Sequence, residues 1–191
     1  KYFVSESLVS SMIGSNGAQR WTDMRIDKDG YIRSLIYDHD MSPRKAGRVL
    51  LRIFEIAVYR NMSLLALPLA REVSVKIALI NSELAALTEE LSRATSADKE
   101  KDLLRDLTRV SAEIETLSSK TAYRFSATRA YYQIVLSRIA ELKETPVDPY
   151  QTISEFLDRR LAPAVRTCNS VADRLADLSR RATRSANLLR T

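Results

Sequence analysis

The feature that most constrains this chain is a mostly apolar seam of side chains spaced three and four apart in alternation, with one skip near Phe125. It runs through Leu103, Leu107, Val110, Ile114, Leu117, Thr121, Phe125, Thr128, Tyr132, Val135, Ile139 and Leu142. That spacing keeps one face of an α-helix apolar for more than five heptads and is the pattern of a coiled-coil contact. A helix of some 45 residues spans on the order of 65 Å at 1.5 Å per residue. The seam therefore predicts a long helix over 98–143, with Leu107, Ile114, Phe125, Tyr132 and Ile139 as its packing positions.

The flanking sequence supports more helices of the same kind. Ser42 and Pro43 form a helix start, a capping hydroxyl followed by a ring suited to the first turn. From Val49 to Ala70 the chain is apolar on several faces, which predicts burial by more than one neighbour. Pro68 falls inside this pattern and is expected to kink a helix over 42–94. The spacing Ile80, Leu84, Leu87, Leu91 then continues as a 3-4 seam. Asp98 stands where a cap for the next helix is needed. Thr145-Pro146-Val147-Asp148-Pro149 ends that helix, and a third is predicted over 152–189. It carries Leu161, Val165, Cys168, Ala172, Leu175 and Ala182. Short connections predict that successive helices run antiparallel.

Residues 1–41 read differently. Tyr2 to Met12, Trp21 to Ile26 and Tyr31 to Tyr37 are three short strand-like runs. Asp27-Lys28-Asp29-Gly30 between the second and third is a turn signal. Three strands are marginal alone, so this segment is expected to be part of a larger sheet. The fold class predicted is mainly α: a long antiparallel coiled-coil-like hairpin bundle over 42–191, with a small antiparallel β-sheet remnant over 1–41. Only 4 Gly and 5 Pro in 191 residues agree with long helices.

Charge is unevenly placed. The chain has 30 Lys plus Arg and 24 Asp plus Glu, a net charge of +6. Residues 159–191 hold eight Arg against Asp173 and Asp177, so they account for all of it. No stretch reaches the roughly 18 apolar residues of a membrane span. One Cys and one His leave no disulfide framework and no Cys/His catalytic pair.

Candidate sites are few. Asp98, Asp102 and Asp106 recur on one helix face and could take a divalent cation, but interleaved Lys99, Lys101, Arg105 and Arg109 favour a salt-bridged surface. Asp38-His39-Asp40 brackets the lone His with carboxylates at a strand-to-helix junction. A solvated turn is the simpler reading there. Lys45 to Arg48 opens a helix without the glycine-rich loop of a nucleotide site. Tyr123 to Tyr132 is rich in aromatics and Arg, although Phe125 and Tyr132 belong to the seam. Cys168 sits on an apolar face as a buried thiol. Arg174, Arg180, Arg181, Arg184 and Arg190 could face a membrane surface or phosphates. No aromatic residue follows Phe156, which argues against stacking on single-stranded nucleic acid. Nucleic acid is thus not an expected partner, and no cofactor is expected.

Several stretches together resemble a known bacterial family. They are Trp21-Thr22-Asp23-Met24-Arg25-Ile26, Ser42 through Arg48, Leu64 through Glu72, Tyr123 through Tyr132, Arg138 through Leu142, Phe156 through Ala164, and Leu188 through Thr191. The family is that of domain of unknown function 3422. The resemblance implies a longer protein, with α/β sequence before residue 1 and further helix leading to a C-terminal apolar anchor beyond Thr191. It implies no catalytic residue. The expected function is a non-enzymatic, cytoplasm-facing helical scaffold of a membrane-anchored bacterial protein, at the inner membrane, partnered by itself or another protein through coiled-coil surfaces. One alternative is the soluble domain of a CorA-like cation transporter or channel regulator, although the Gly-Met-Asn hallmark of those channels is absent. Another is nucleic-acid binding through the Arg-rich last helix.

Overall fold

A computed structural model describes residues 2–93 and 95–189. The chain is mainly helical. A short 3-10 turn over Ser5–Ser7 precedes strands β1 (Val9–Ile13), β2 (Ala18–Thr22) and β3 (Leu35–Asp38). Helices α1 (Pro43–Leu64), α2 (Leu67–Arg93) and α3 (Ala97–Leu142) follow, then β4 (Thr145–Pro146), α4 (Ile153–Arg160) and α5 (Ala162–Leu188). Two compact units divide these elements, and neither is continuous in sequence. The first comprises residues 1–64 and 129–164, the second 65–128 and 165–191.

The first unit holds an antiparallel sheet in the order β3-β2-β1-β4. β1 and β2 form a hairpin with Val9 opposite Thr22 and Ile13 opposite Ala18. The turn between them is tight: Gly14, Ser15 and Asn16 all have positive φ. Gly17 follows, where a Cβ would stand 2.7 Å from Met41 Cγ. Only a residue without a side chain lets the chain pass that close. The Asp27–Gly30 turn forms as its sequence predicts, with the Gly30 N–H bonded to the Asp27 carbonyl and Gly30 at φ +87°. It closes an isolated bridge between Ile26 and Ile32, not a hairpin of long strands. The expected second strand begins at Ala18, ahead of Trp21.

The sheet's fourth strand comes from beyond α3, so residues 1–41 do not complete it. Met12 pairs with Thr145 and Ser11 with Pro146. Alternation along β2 turns Ala18, Arg20 and Thr22 inward, while β3 is an exposed edge. α1 buries Val49, Ile53, Ile56, Arg60 and Ser63 on one stripe. Its partner within the unit is the C-terminal part of α3. Arg52 reaches Glu141 at 2.8 Å, Arg138 reaches Glu55 at 2.6 Å, and the Tyr59 and Tyr131 rings stack at 5.6 Å. These pairs descend one helix as they climb the other, so the two run antiparallel. Burial on several faces of α1 does not occur. Leu50, Leu51, Phe54 and Val58 are 43–66% exposed.

The second unit is a three-helix bundle of α2, the N-terminal part of α3 and most of α5. Its core comprises Val73, Ile77, Ile80 and Leu84 from α2, Leu107, Val110, Ile114 and Phe125 from α3, and Cys168, Val171, Leu175 and Leu178 from α5. Lys120 reaches Glu72, and Arg109 reaches Glu83. The order of these pairs makes α2 and α3 antiparallel. α5 runs parallel to α2: Arg174 donates to Ser74 and Arg181 to Asn81, both across 100 residues of sequence.

Two predicted helices are each divided in two. The one over 42–94 breaks at Leu65–Ala66, and Pro68 lies in the first turn of α2. A proline there has no need of an N–H partner, whereas inside a longer helix it would clash with the Leu64 carbonyl. The one over 152–189 divides at Leu161, with Pro163 in the first turn of α5 for the same reason. The α3 start falls at Ala97, with the Ser96 carbonyl taking the first N–H, so Asp98 sits in the first turn and not at the cap.

Candidate functional site

The basic residues of α5 serve two purposes. Arg174 and Arg181 lie seven residues apart and therefore share a face. That face meets α2, where they bond Ser74 at 3.3 Å and Asn81 at 2.6 Å. Arg180 pairs with Asp177 at 3.3 Å on its own helix. Arg184 is exposed. Arg190 lies outside the described residues.

The acidic face of α3 is occupied by its own cations. Asp102 pairs with Arg105 at 3.3 Å and Asp106 with Arg109 at 3.9 Å. Arg109 also pairs with Glu83, whose hydrogen bond is the main reason its guanidinium holds its proton more firmly than usual. Asp98 is exposed in the first turn. Lys99, Asp102 and Asp106 border one shallow hollow with Glu90 and Arg93. Among the described residues, no three His, Cys, Asp or Glu side chains are grouped to hold a metal ion.

The remaining sequence candidates have structural partners. His39 is exposed, with its ring edge-on to Tyr37 at 4.9 Å, and its N–H bonds the Gly17 carbonyl. Asp38 accepts from the Met41 N–H. Leu107, Ile114, Phe125 and Ile139 are buried, and Tyr132 is half-buried. Tyr123 is 82% exposed beside the exposed Arg124. Cys168 is buried, and loss of solvent pushes its thiol pKa up, away from reactivity.

The most unusual chemistry lies in the first unit. Arg20 is 3% exposed and Arg60 is 9% exposed. Burial lowers the Arg20 pKa to about 10, an effect that nearby Glu144 opposes and Arg60 reinforces. Burial also lowers that of Arg60. Both guanidiniums remain charged at neutral pH. Arg20 Nε donates to Ser34 Oγ at 2.8 Å, but its Nη1 has no partner. Arg60 has only a long 3.3 Å contact from Nη2 to Asn61, and its buried Nε has no partner. Glu144 is the carboxylate near Arg20, and it is already engaged by Ser11 Oγ and by the N–H groups of Ile153 and Ser154. Among its described residues the unit thus buries two guanidiniums and one carboxylate, Asp23, with Glu144 half-buried near Arg20.

Arg60 opens onto a cavity of about 200 Å³ lined also by Met24, Leu64, Phe156, Leu157, Arg160 and Leu161. α4 supplies Phe156, Leu157 and Arg160. Its N-terminus is held by a capping box, in which the Glu155 N–H bonds Thr152 Oγ1 and the Glu155 carboxylate takes the Thr152 N–H. Arg160 is exposed at the mouth, its guanidinium carbon 5.1 Å from the centre of the Phe156 ring. Sequence reasoning passed over Arg20 and Arg60. The available signal was positional: Arg60 follows Val49, Ile53 and Ile56 at helical spacing, on the buried stripe.

Fold and site together define a helical protein with a small sheet unit, organised around packing surfaces and buried cations. The chain belongs to the family described as protein of unknown function (DUF3422), whose match covers residues 1–191. No curated protein and no solved structure matches it. Among the described residues, no helix is long and apolar enough to cross a membrane.

Proposed function

We propose that this region is a non-enzymatic helical scaffold that self-associates through α1. The carrying observation is the exposed apolar run Leu51, Phe54 and Val58, spaced three and then four apart. Such a run is the half of a coiled-coil seam that a like seam completes. A second copy of this chain is the fitting occupant, because a half-seam of this spacing is completed by an identical one. Arg52 is paired with Glu141 and Glu55 with Arg138 within the chain, and an antiparallel approach of the two copies would keep the exposed Arg44 and Arg48 of each apart. The setting that suits this scaffold is the cytoplasmic face of a membrane-anchored bacterial protein. The Arg excess of residues 159–191 supports that side, since basic segments near a span stay in the cytoplasm.

Sedimentation of the whole chain over a wide concentration range tests the reading. Dimers that dissociate on Phe54→Glu, with the helical spectrum kept, support it. A monomer at every concentration sinks it, as does a dimer indifferent to both Phe54→Glu and Leu51→Glu.

A further inference from the structure

We infer that the cavity between Arg60 and Arg160 binds a small amphiphilic oxyanion, a carboxylate or phosphate carried on a short apolar stem. The cavity has two chemically distinct parts. Arg60 and Arg160 supply guanidinium donors, and no carboxylate lines the space among the described residues. Met24, Leu64, Phe156, Leu157 and Leu161 supply the apolar remainder.

Arg60 is not consumed by the protein itself. Its Nε is buried without a partner, and its one hydrogen bond is a long contact to the adjacent Asn61. A buried guanidinium normally has its donors answered by carboxylates or water, since unmet donors and unpaired charge are costly. Arg20 is a second buried cation close enough to act on it, and no carboxylate pairs with Arg60 among the described residues. An incoming oxyanion would give Arg60 the ion partner it lacks among the described residues. A planar fork of N–H groups suits both carboxylate and phosphate oxygens. Arg160, held over the Phe156 ring, is positioned to meet the same headgroup from the solvent side.

Size restricts the ligand further. About 200 Å³ is small beside the roughly 300–1,000 Å³ of drug-sized sites. A headgroup with a short chain fits, and a long acyl chain does not. The apolar lining would cover the stem and favour it over a bare ion.

Calorimetric titration of the whole chain with hexyl phosphate and with hexanoate tests this, with inorganic phosphate and hexanol as the arms that separate headgroup from stem. Saturable binding of hexyl phosphate or hexanoate, weaker by about tenfold or more in Arg60→Met, is expected from loss of a charged hydrogen-bond donor. The stronger of the two ligands identifies the headgroup. Arg160→Gln should also weaken binding, and it changes an exposed side chain, so it decides the matter if Arg60→Met loses its helical spectrum. No saturable binding of either alkyl oxyanion overturns the inference. So does affinity unchanged by Arg160→Gln and by a folded Arg60→Met. Equal affinity for inorganic phosphate overturns the role of the apolar wall, and equal affinity for hexanol overturns that of the arginines.

Discussion

The Glu144 carboxylate accepts the Ile153 N–H at 3.0 Å and so closes the N-terminus of α4 from outside the helix. The same carboxylate takes Ser154 N–H at 3.1 Å and Ser11 Oγ at 2.6 Å. It thereby ties β1, the segment after α3 and α4 into one set of bonds. Glu144→Ala removes all three, and two of the freed donors, Ser11 Oγ and the Ile153 N–H, are partly buried. We expect a loss of about 2–3 kcal/mol of unfolding free energy, measured by urea denaturation, with Glu144→Gln recovering part of it.

Gly17 is a steric requirement with a named opponent. A methyl group there would meet Met41 Cγ at 2.7 Å and the Gly14 carbonyl oxygen at 3.2 Å. Gly17→Ala should cost about 1–3 kcal/mol as an overpacked site. Adding Met41→Ala removes the closer opponent, so the double variant should lose less than the two single changes summed. Additive losses in thermal melts would show that the clash is not the cause.

Core and surface positions of the bundle should separate cleanly. Ile114 is 1% exposed and Leu79 is 69% exposed. Ile114→Ala opens a cavity and should cost about 2–5 kcal/mol, whereas Leu79→Ala should stay within about 0.5 kcal/mol. Urea midpoints of the two variants check this directly.

Acid should weaken the protein through two carboxylates, the exposed Glu72 and the half-buried Glu141. The Lys120 hydrogen bond holds the Glu72 pKa below its ordinary 4.5, and the Arg52 hydrogen bond does the same for Glu141. A carboxylate with a lowered folded pKa adds stability that is fully present above its unfolded pKa. That stability is lost as pH falls through the folded value. Urea midpoints should therefore hold steady from neutral pH down to about 5 and fall below 4.5. The double variant Glu72→Gln, Glu141→Gln should have a shallower acid limb, and high salt should shrink the Glu72 part of the difference because the Lys120–Glu72 pair faces solvent.

What could be read in advance follows from the reach of each interaction. The α3 seam was legible because helix periodicity is local: Leu107 and Ile114 announce a shared face from spacing alone. The Asp27–Gly30 turn was legible for the same reason. Strand pairing between Met12 and Thr145 was not, since no local rule links residues that far apart. Pro68 was read as a kink because the apolar pattern continues across it, and pattern does not say whether the hydrogen-bond ladder does. The exposed face of α1 was hidden too, because an apolar side chain carries no label for the neighbour it lacks. Arg60 was missed because a cation at an apolar position reads as a break in a stripe, not as a buried group. Its companions in the cavity come from Met24 and from α4, which only tertiary structure brings to it.

The pairing of β1 with β4 has a consequence for biosynthesis. Val9 to Ile13 are made before α1, α2 and α3, yet the strand that completes their sheet is Thr145–Pro146. During translation β1 therefore waits with one edge unsatisfied while three helices are made. The bundle waits longer still, because α5 is made after β4. Nascent chains arrested before residue 146 should be protease-sensitive in both parts, and a chaperone that shields strand edges would find its substrate at Val9–Ile13.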